Sequence, residues 1–406
     1  MVPVGPQVLR STPSVSDRDD AVEALRILHV VPYFPPDRVG GVGEVAAHVH
    51  AELLRRGHDS RVLTSGRTQS DPRVLRTGRT PDGFVLTSPL KVNMTRWADV
   101  LHVHHGEALG LLAAMKILRI PAPILLTLHA SPTKIGRSLR AYHLGKLTIS
   151  GEPGLLRRTV VTRVRQAMDR AAMVLANQTT FIARSTAVDY LGDEQAELST
   201  TIYNGLPEVA DKPSRMSAHP APVELLYVGS YSVRKRVQAL PIVLEHVRRK
   251  VPGARLRIVG FEPTERPEFM HLARVHGVHD AIVSPGVLHS EDIAPYYRAA
   301  QVLLVPSAYE GLPMVIMEAM QNGLPCVATR VSGHPEIIED EKTGFLTPLD
   351  NPSAMAEAAV RILCEPSLAE RVGAAGREAI AKQFALGRQV ERYLDVYRTL
   401  AVRLPT

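Results

Sequence analysis

The sequence predicts an α/β protein of two doubly wound, parallel-sheet domains facing each other across a cleft. Three observations predict this fold. Short apolar, β-rich runs alternate with helical patterns through most of the 406 residues, and strand–helix alternation builds βαβ units around a parallel sheet. A proline-rich stretch without periodicity, residues 207–222, interrupts the alternation as a linker does. Beyond it the alternation restarts.

In chain order, residues 1–24 show no core pattern and no basic–apolar leader, and are read as a loose tail. Ile27–Tyr33 is the first buried strand, and a glycine-bearing loop follows it. Glu44–Arg56 then places Val45, Val49, Leu53 and Leu54 at helical spacing, with Gly57 just beyond the end. Arg61–Thr64, Asp99–Val103, Ile124–Leu128, Met173–Ala176 and Thr201–Tyr203 read as further strands, so that residues 25–206 form a first domain. Glu224–Val228, Arg255–Val259, Ala281–Ser284, Gln301–Val305 and Cys326–Ala328 are the strands of a second domain, residues 223–386. A last helix occupies residues 387–406.

Composition narrows the class. With 45% hydrophobic and 22% charged residues, the chain is neither disordered, collagen-like nor a coiled coil. Two cysteines, Cys326 and Cys364, make neither a disulfide framework nor a four-cysteine zinc site. No apolar run approaches the ~20 residues of a membrane span, and a cytoplasmic location is expected. The net charge of +7 is local: residues 134–165 hold eight basic residues against Glu152. Such a patch attracts anions, whether a phosphate- or carboxylate-bearing small molecule or an acidic membrane surface. Tyr142 is its single aromatic, which argues against nucleic acid. A merely solvated face is the plain alternative.

Doubly wound sheets bind ligands beyond the carboxyl ends of their strands, so chemistry is sought there. The loop Arg38–Glu44 carries Gly40, Gly41 and Gly43 and opens a helix. Such a loop brings backbone close to an anion, although its spacing is not the dinucleotide fingerprint and a tight turn reads as well. The segment from Glu310 to Glu318 follows a strand directly. Pro313 suits a first helical turn, and Gly311 and Leu312 would offer N–H groups at the positive helix end, a diphosphate site. Eight residues along a helix separate the two glutamates by at most about 12 Å, wider than the roughly 5–9.5 Å of a hydrolytic pair. That spacing suits a long ligand with a sugar, a diphosphate and a ribose, although acids also favour helix starts for their own sake. His102, His104 and His105 cluster, but no acid or cysteine stands at ligand spacing, and no metal is expected. His334 reads as a loop histidine, near the donor or not.

With these residues in place, the chain resembles the retaining GT-B glycosyltransferases of family 4, the Glu-x7-Glu type of glycosyltransferase group 1. The resemblance is strongest over Val305–Pro348, which reads Pro-Ser-Ala-Tyr-Glu-Gly-Leu-Pro-Met-Val-Ile-Met-Glu-Ala-Met, Gly-Leu-Pro-Cys-Val-Ala-Thr, Ser-Gly-His-Pro-Glu-Ile-Ile and Thr-Gly-Phe-Leu-Thr-Pro in order. Gly57-His58, Asp99-Val-Leu-His-Val-His104, Thr127-Leu-His129, Asn204-Gly205 and Val228-Gly229 with Lys235 support it.

The resemblance implies two Rossmann-like domains, a nucleotide-diphosphate sugar as co-substrate, UDP or GDP favoured, and transfer with retention without metal or cofactor, while the basic stretch that follows His129 favours a small, anionic acceptor offering a hydroxyl or another nucleophile. It makes Glu310, His129 and Lys235 catalytic. Glu310 would meet the sugar hydroxyls, Gly311–Pro313 the diphosphate and Glu318 the ribose. Lys235 would balance the leaving charge, and His129 would position a donor hydroxyl. Gly40, Gly41, Gly229, Ser230, Arg234, Gly260 and Phe261 complete the donor side. Glu44, Lys134, Arg137 and Arg140 are the acceptor-side candidates, and the last helix would return to the first domain. Two departures stand out. Ser230 occupies the place of a diphosphate-binding arginine, for which Arg234 or Arg236 would have to substitute. Phe261 occupies that of a small residue and would crowd or stack on the base. A lipid-linked or polysaccharide acceptor, an epimerase and a purely nucleotide-binding protein are the alternatives, because a fold does not fix a function.

Overall fold

A computed structural model describes residues 24–36, 41–66, 71–76, 95–105, 108–131, 155–209 and 223–402. The first part runs β1 (Arg26–Val31), α1 (Gly41–Arg55), β2 (Asp59–Thr64), β3 (Val74–Arg76), β4 (Val100–His104), α2 (Leu109–Ile117), β5 (Ile124–Leu128), α3 (Leu155–Leu175), β6 (Gln178–Phe181), α4 (Arg184–Leu191), α5 (Asp193–Glu197) and β7 (Thr200–Thr201). The second runs β8 (Glu224–Val228), α6 (Ala239–Arg248), β9 (Arg255–Val259), α7 (Pro267–Val275), β10 (Ile282–Gly286), α8 (Ala294–Ala299), β11 (Val302–Val305), α9 (Met314–Gln321), β12 (Cys326–Thr329), α10 (His334–Ile337), β13 (Phe345–Thr347), α11 (Pro352–Cys364), α12 (Pro366–Gln383) and α13 (Leu386–Val402).

The strands form two sheets, ordered β3-β2-β1-β4-β5-β6-β7 and β10-β9-β8-β11-β12-β13. Their ladders are parallel, including β1 with β2 and β4, and β8 with β9 and β11. Helices cover both faces, which is why β4 and β5 are buried at every residue and read as continuous apolar runs. Strand order reverses between β1 and β4, and again between β8 and β11. These are the two switch points at which doubly wound sheets hold ligands.

Three local findings qualify the sequence reading. Met173–Ala176 is not a strand. It is the last turn of α3 and the residue beyond it, while the strand is Gln178–Phe181, Gln-Thr-Thr-Phe, whose two threonines hide the apolar pattern. A short apolar run ending a buried helix cannot be told from a strand by period alone. The edge strands β3 and β13 are three residues each and leave no periodic trace. Gly57 does adopt the left-handed conformation, with φ +84°, at the end of α1.

Helix α13 packs on the first sheet. Val390, Tyr393, Leu394, Tyr397 and Leu400 share a core with Leu25, Ile27, Val49, Val100 and Leu125. The crossing is secured where the Gly205 amide donates to Gln389 Oε1 at 2.8 Å and Leu206 pairs with Ala385. No helix among the described residues is long and apolar enough to cross a membrane.

Candidate active site

On the second domain, β11 delivers the chain to a loop that ends in Glu310 before α9 begins. The Glu310 side chain is buried. Its Oε1 accepts from the Ser307 hydroxyl at 3.0 Å and pairs with Lys235 Nζ at 2.8 Å. Its Oε2 takes the Arg234 guanidinium, which also donates to the Tyr309 carbonyl at 3.0 Å. Burial alone would raise the pKa of this carboxyl. The Lys235 and Arg234 charges outweigh it and hold the group well below the usual carboxylate range.

Both cations come from the 3-10 turn Val233–Lys235 beyond β8, which Ser232 caps. The turn ends in Arg236, whose left-handed backbone (φ 50°) swings its guanidinium away to the Leu349 carbonyl and the Asp350 carboxylate, each at 2.7 Å. Of the two arginines flanking Lys235, therefore, only Arg234 reaches the glutamate. Ser230 is exposed, and its carbonyl accepts from the Tyr227 hydroxyl at 3.2 Å.

Glu318, on α9, accepts from the Tyr297 hydroxyl at 2.7 Å, and burial raises its pKa. The negative charge of Glu44, from α1 of the first domain, adds to that rise. Glu44 itself lies 3.4 Å from the Ser290 hydroxyl of the second domain. The amides of Gly311, Leu312, Met314 and Val315 make no hydrogen bond among the described residues. They are the free donors of a helix start. At the ends of β8 and β9, a Cβ on Gly260 (φ +114°) would fall 2.5 Å from the Gly229 carbonyl oxygen, so the two loops touch through bare backbone.

Phe261 departs from its expected role. Its ring is buried against Tyr227, Tyr231 and Phe269. It is core, and offers no face to a nucleobase. Gly41 is exposed at the start of α1. Gly40, Lys134, Arg137 and Arg140 lie outside the described residues.

Across the cleft, His129 follows β5. Its Nε2 lies 3.2 Å from Nδ1 of His104, whose Nε2 lies 3.2 Å from Nδ1 of His29. Burial pushes all three pKa values down, that of His29 to about 3. The rings are therefore neutral, with one donor and one acceptor nitrogen apiece. Along such a chain every N–H must point the same way, so the tautomers of the three rings are coupled. His102 stacks on His104 at 4.1 Å and is bonded to Thr127 Oγ1 at 2.7 Å and Tyr397 Oη at 2.6 Å.

His29, His102 and His104 each bring a ligand nitrogen within 4.8 Å of the others. His102 and His104 are hydrogen-bonded at both ring nitrogens, and His29 Nε2 alone among the three rings lacks a partner. Sequence reasoning missed His29. Its trace was the paired register of β1 and β4, which sets His29 opposite His102.

The two domains meet at the site. A Cβ on Gly311 would fall 2.0 Å from the His129 carbonyl oxygen, so only glycine permits this approach. Tyr309 Oη accepts from the Ser131 amide at 2.8 Å and donates to Asp189 at 3.0 Å. Glu336 accepts from the amides of Arg184 and Ser185, at 2.7 and 2.8 Å, and so caps α4 of the other domain. His334 is buried and gives Nδ1 to the Thr329 carbonyl at 2.6 Å. Burial takes its pKa to about 4, which leaves it neutral beside Glu310.

Two switch points stand face to face here in an α/β fold, around a buried carboxylate, two cations, unpaired helix-start amides and a buried histidine. Residues 39–207 match the family described as Glycosyltransferase Family 4, and residues 222–365 match Glycosyl transferases group 1. The chain is 24% identical over 380 residues to N-acetyl-alpha-D-glucosaminyl L-malate synthase of Bacillus anthracis, covering 88% of this chain and 94% of that one. In structure it resembles sucrose-phosphate synthase from Thermosynechococcus elongatus, with TM-score 0.71 at 20% identity over 93% and 99% of the two chains. It also resembles Anabaena HepE in complex with UDP-glucose, with TM-score 0.69 at 17% identity over 92% and 100%. The chain belongs to the group 1, family 4 glycosyltransferases and has the GT-B fold.

Proposed function

We propose that the protein is a retaining glycosyltransferase that moves a sugar from a nucleotide-diphosphate sugar, UDP- or GDP-linked, to a hydroxyl of a small anionic acceptor in the cytoplasm. The observation that carries this reading is the Glu310–Lys235–Arg234 constellation at the second switch point. In this reading Lys235 and Arg234 meet the diphosphate together with the amides of Gly311 and Leu312, and Glu310 accepts from the sugar hydroxyls. Glu318 accepts from the ribose. His129 holds a sugar hydroxyl through its free ring nitrogen and steadies the oxocarbenium-like state.

In the reaction the bond from the anomeric carbon to the diphosphate oxygen breaks, and the acceptor oxygen bonds to that carbon on the same face. The acceptor proton passes to the departing phosphate oxygen, so no side-chain base is required. Positive charge fixed in advance by Lys235, Arg234 and the helix start stabilises the leaving group. The Bacillus anthracis relative bears in its name an alpha-linked sugar and an anionic acceptor, L-malate, and HepE binds UDP-glucose. Both fit this reading.

A thermal-shift screen with UDP, GDP, ADP, TDP and their sugars, followed by NMR of the product anomer, tests it. One nucleotide stabilising the protein and a product of unchanged anomeric configuration are expected. An inverted product, or no nucleotide shift at all, refutes the proposal.

A further inference from the structure

Helix α3 is amphipathic in two opposite senses. Its inward side holds Asp169 and Ala172, both buried, and the Tyr190 hydroxyl donates to Asp169 at 2.5 Å. On the outward side Val160, Val164 and Val174 are 53%, 52% and 84% exposed. Arg163, Ala167 and Arg170, also exposed, fill the turns between them. These six residues follow helical spacing, so they form one ridge, about 20 Å long at the helical rise.

Helix α2 packs against α3 and adds Ile117 and Leu118 at its end, 79% and 52% exposed, flanked by exposed Lys116 and Arg119. Each helix feeds a strand of the paired β5 and β6, so Val174 and Ile117 lie toward the same edge of the sheet. Together with Val161, these two helices carry more than half of the large apolar side chains exposed among the described residues. Asp169, the one acid within α3, is turned inward. Scattered exposed apolar residues need no explanation, but a contiguous patch does.

We propose that this face docks the protein on an anionic lipid surface, with α3 lying in the interface plane and its valine ridge seated among the headgroups. Apolar residues interleaved with cations are the composition of an interfacial helix, and bases near an anionic leaflet add attraction. A second copy of the chain fits poorly, because it would set Arg163 and Arg170 against like charges. A nucleic acid would ask for stacking aromatics, which the ridge lacks. The amino end of α3 lies at the carboxyl edge of the sheet, the edge that carries His129. Docking therefore leaves the cleft beside the headgroups. The proposal does not depend on the sugar or the nucleotide.

Sedimentation with phosphatidylglycerol–phosphatidylcholine vesicles, and with phosphatidylcholine alone, at low and high salt tests it. Co-sedimentation with the anionic vesicles at low salt is expected, falling at high salt and absent with phosphatidylcholine. Val164→Glu with Val174→Glu, and separately Arg163→Gln with Arg170→Gln, should each lower the bound fraction at least tenfold. Melting temperature and the nucleotide thermal shift should stay unchanged. Failure of the wild-type protein to bind overturns the proposal, as does variant binding equal to wild type. So does a concentration-dependent dimer that the valine variant abolishes, because the face would then be a self-interface.

Discussion

His104 Nδ1 lies 3.2 Å from His129 Nε2, inside a buried row of imidazoles that runs from strands β1 and β4 to the end of β5. His104→Leu strands the facing nitrogens of His129 and His29, at a cost of about 1–3 kcal/mol for each buried unsatisfied group. Steady-state kinetics should show turnover falling up to about a hundredfold, as a misplaced reacting group does, with the donor KM little changed. His104→Gln, which keeps a donor and an acceptor, should recover part of the loss. Unchanged turnover in the leucine variant would mean that the row does not orient His129.

Glu310→Ala and His129→Ala should each abolish transfer and leave the fold intact. Glu310→Gln should retain nucleotide binding or tighten it, because Lys235 and Arg234 lose their internal carboxylate partner. Calorimetric titration with the preferred nucleoside diphosphate, alongside a transfer assay, separates the two effects. Near-wild-type turnover in either alanine variant contradicts the assigned roles.

The two arginines beside Lys235 should behave differently. Arg234→Ala removes a charge-assisted contact worth about 1.5–3 kcal/mol, a loss of roughly ten- to a hundredfold in diphosphate affinity. Arg236→Ala should change it less than about twofold, because that guanidinium is engaged by Leu349 and Asp350. Glu318→Ala should weaken nucleotide binding while turnover at saturation persists. Equal effects of the two arginine variants would show that the turn rearranges around the ligand.

Stability should fall in mild acid. Burial lowers the folded-state pKa of His29 to about 3 and of His334 to about 4, and lowers those of His102, His104 and His129 as well. Between those values and 6.5 the unfolded chain binds more protons, so stability declines as pH drops through that window, by up to about 1.4 kcal/mol per unit per histidine. Above pH 6.5 these groups contribute no slope. Urea midpoints measured from pH 8 to pH 5 should be level at first and then fall. A level midpoint throughout would mean that these rings are not held neutral.

What was legible in the sequence follows from what is local. Parallel strands buried on both faces show as unbroken apolar runs, so β1, β5 and β11 were plain, while β6 hid behind Thr179 and Thr180. Glu310 and Lys235 could be singled out by their blocks, but their contact spans two strand ends. Which neighbour of Lys235 turns inward depends on the left-handed Arg236, and no periodicity reports a single φ. His29 lies 75 residues from His104, so only strand register brings the two together. Phe261 misled because the turn at Gly260 sends the next ring into the core.

Helix α13 also bears on how the protein is made. The first domain is translated first, yet its apolar trough of Leu25, Ile27, Val49 and Val100 stays uncovered until Tyr393 and Tyr397 arrive. Domains ordinarily fold in order as they leave the ribosome, but here the first sheet gains this cover only when the last helix emerges. A nascent chain halted before Leu386 presents that trough to chaperones, and the two halves become one unit of biogenesis.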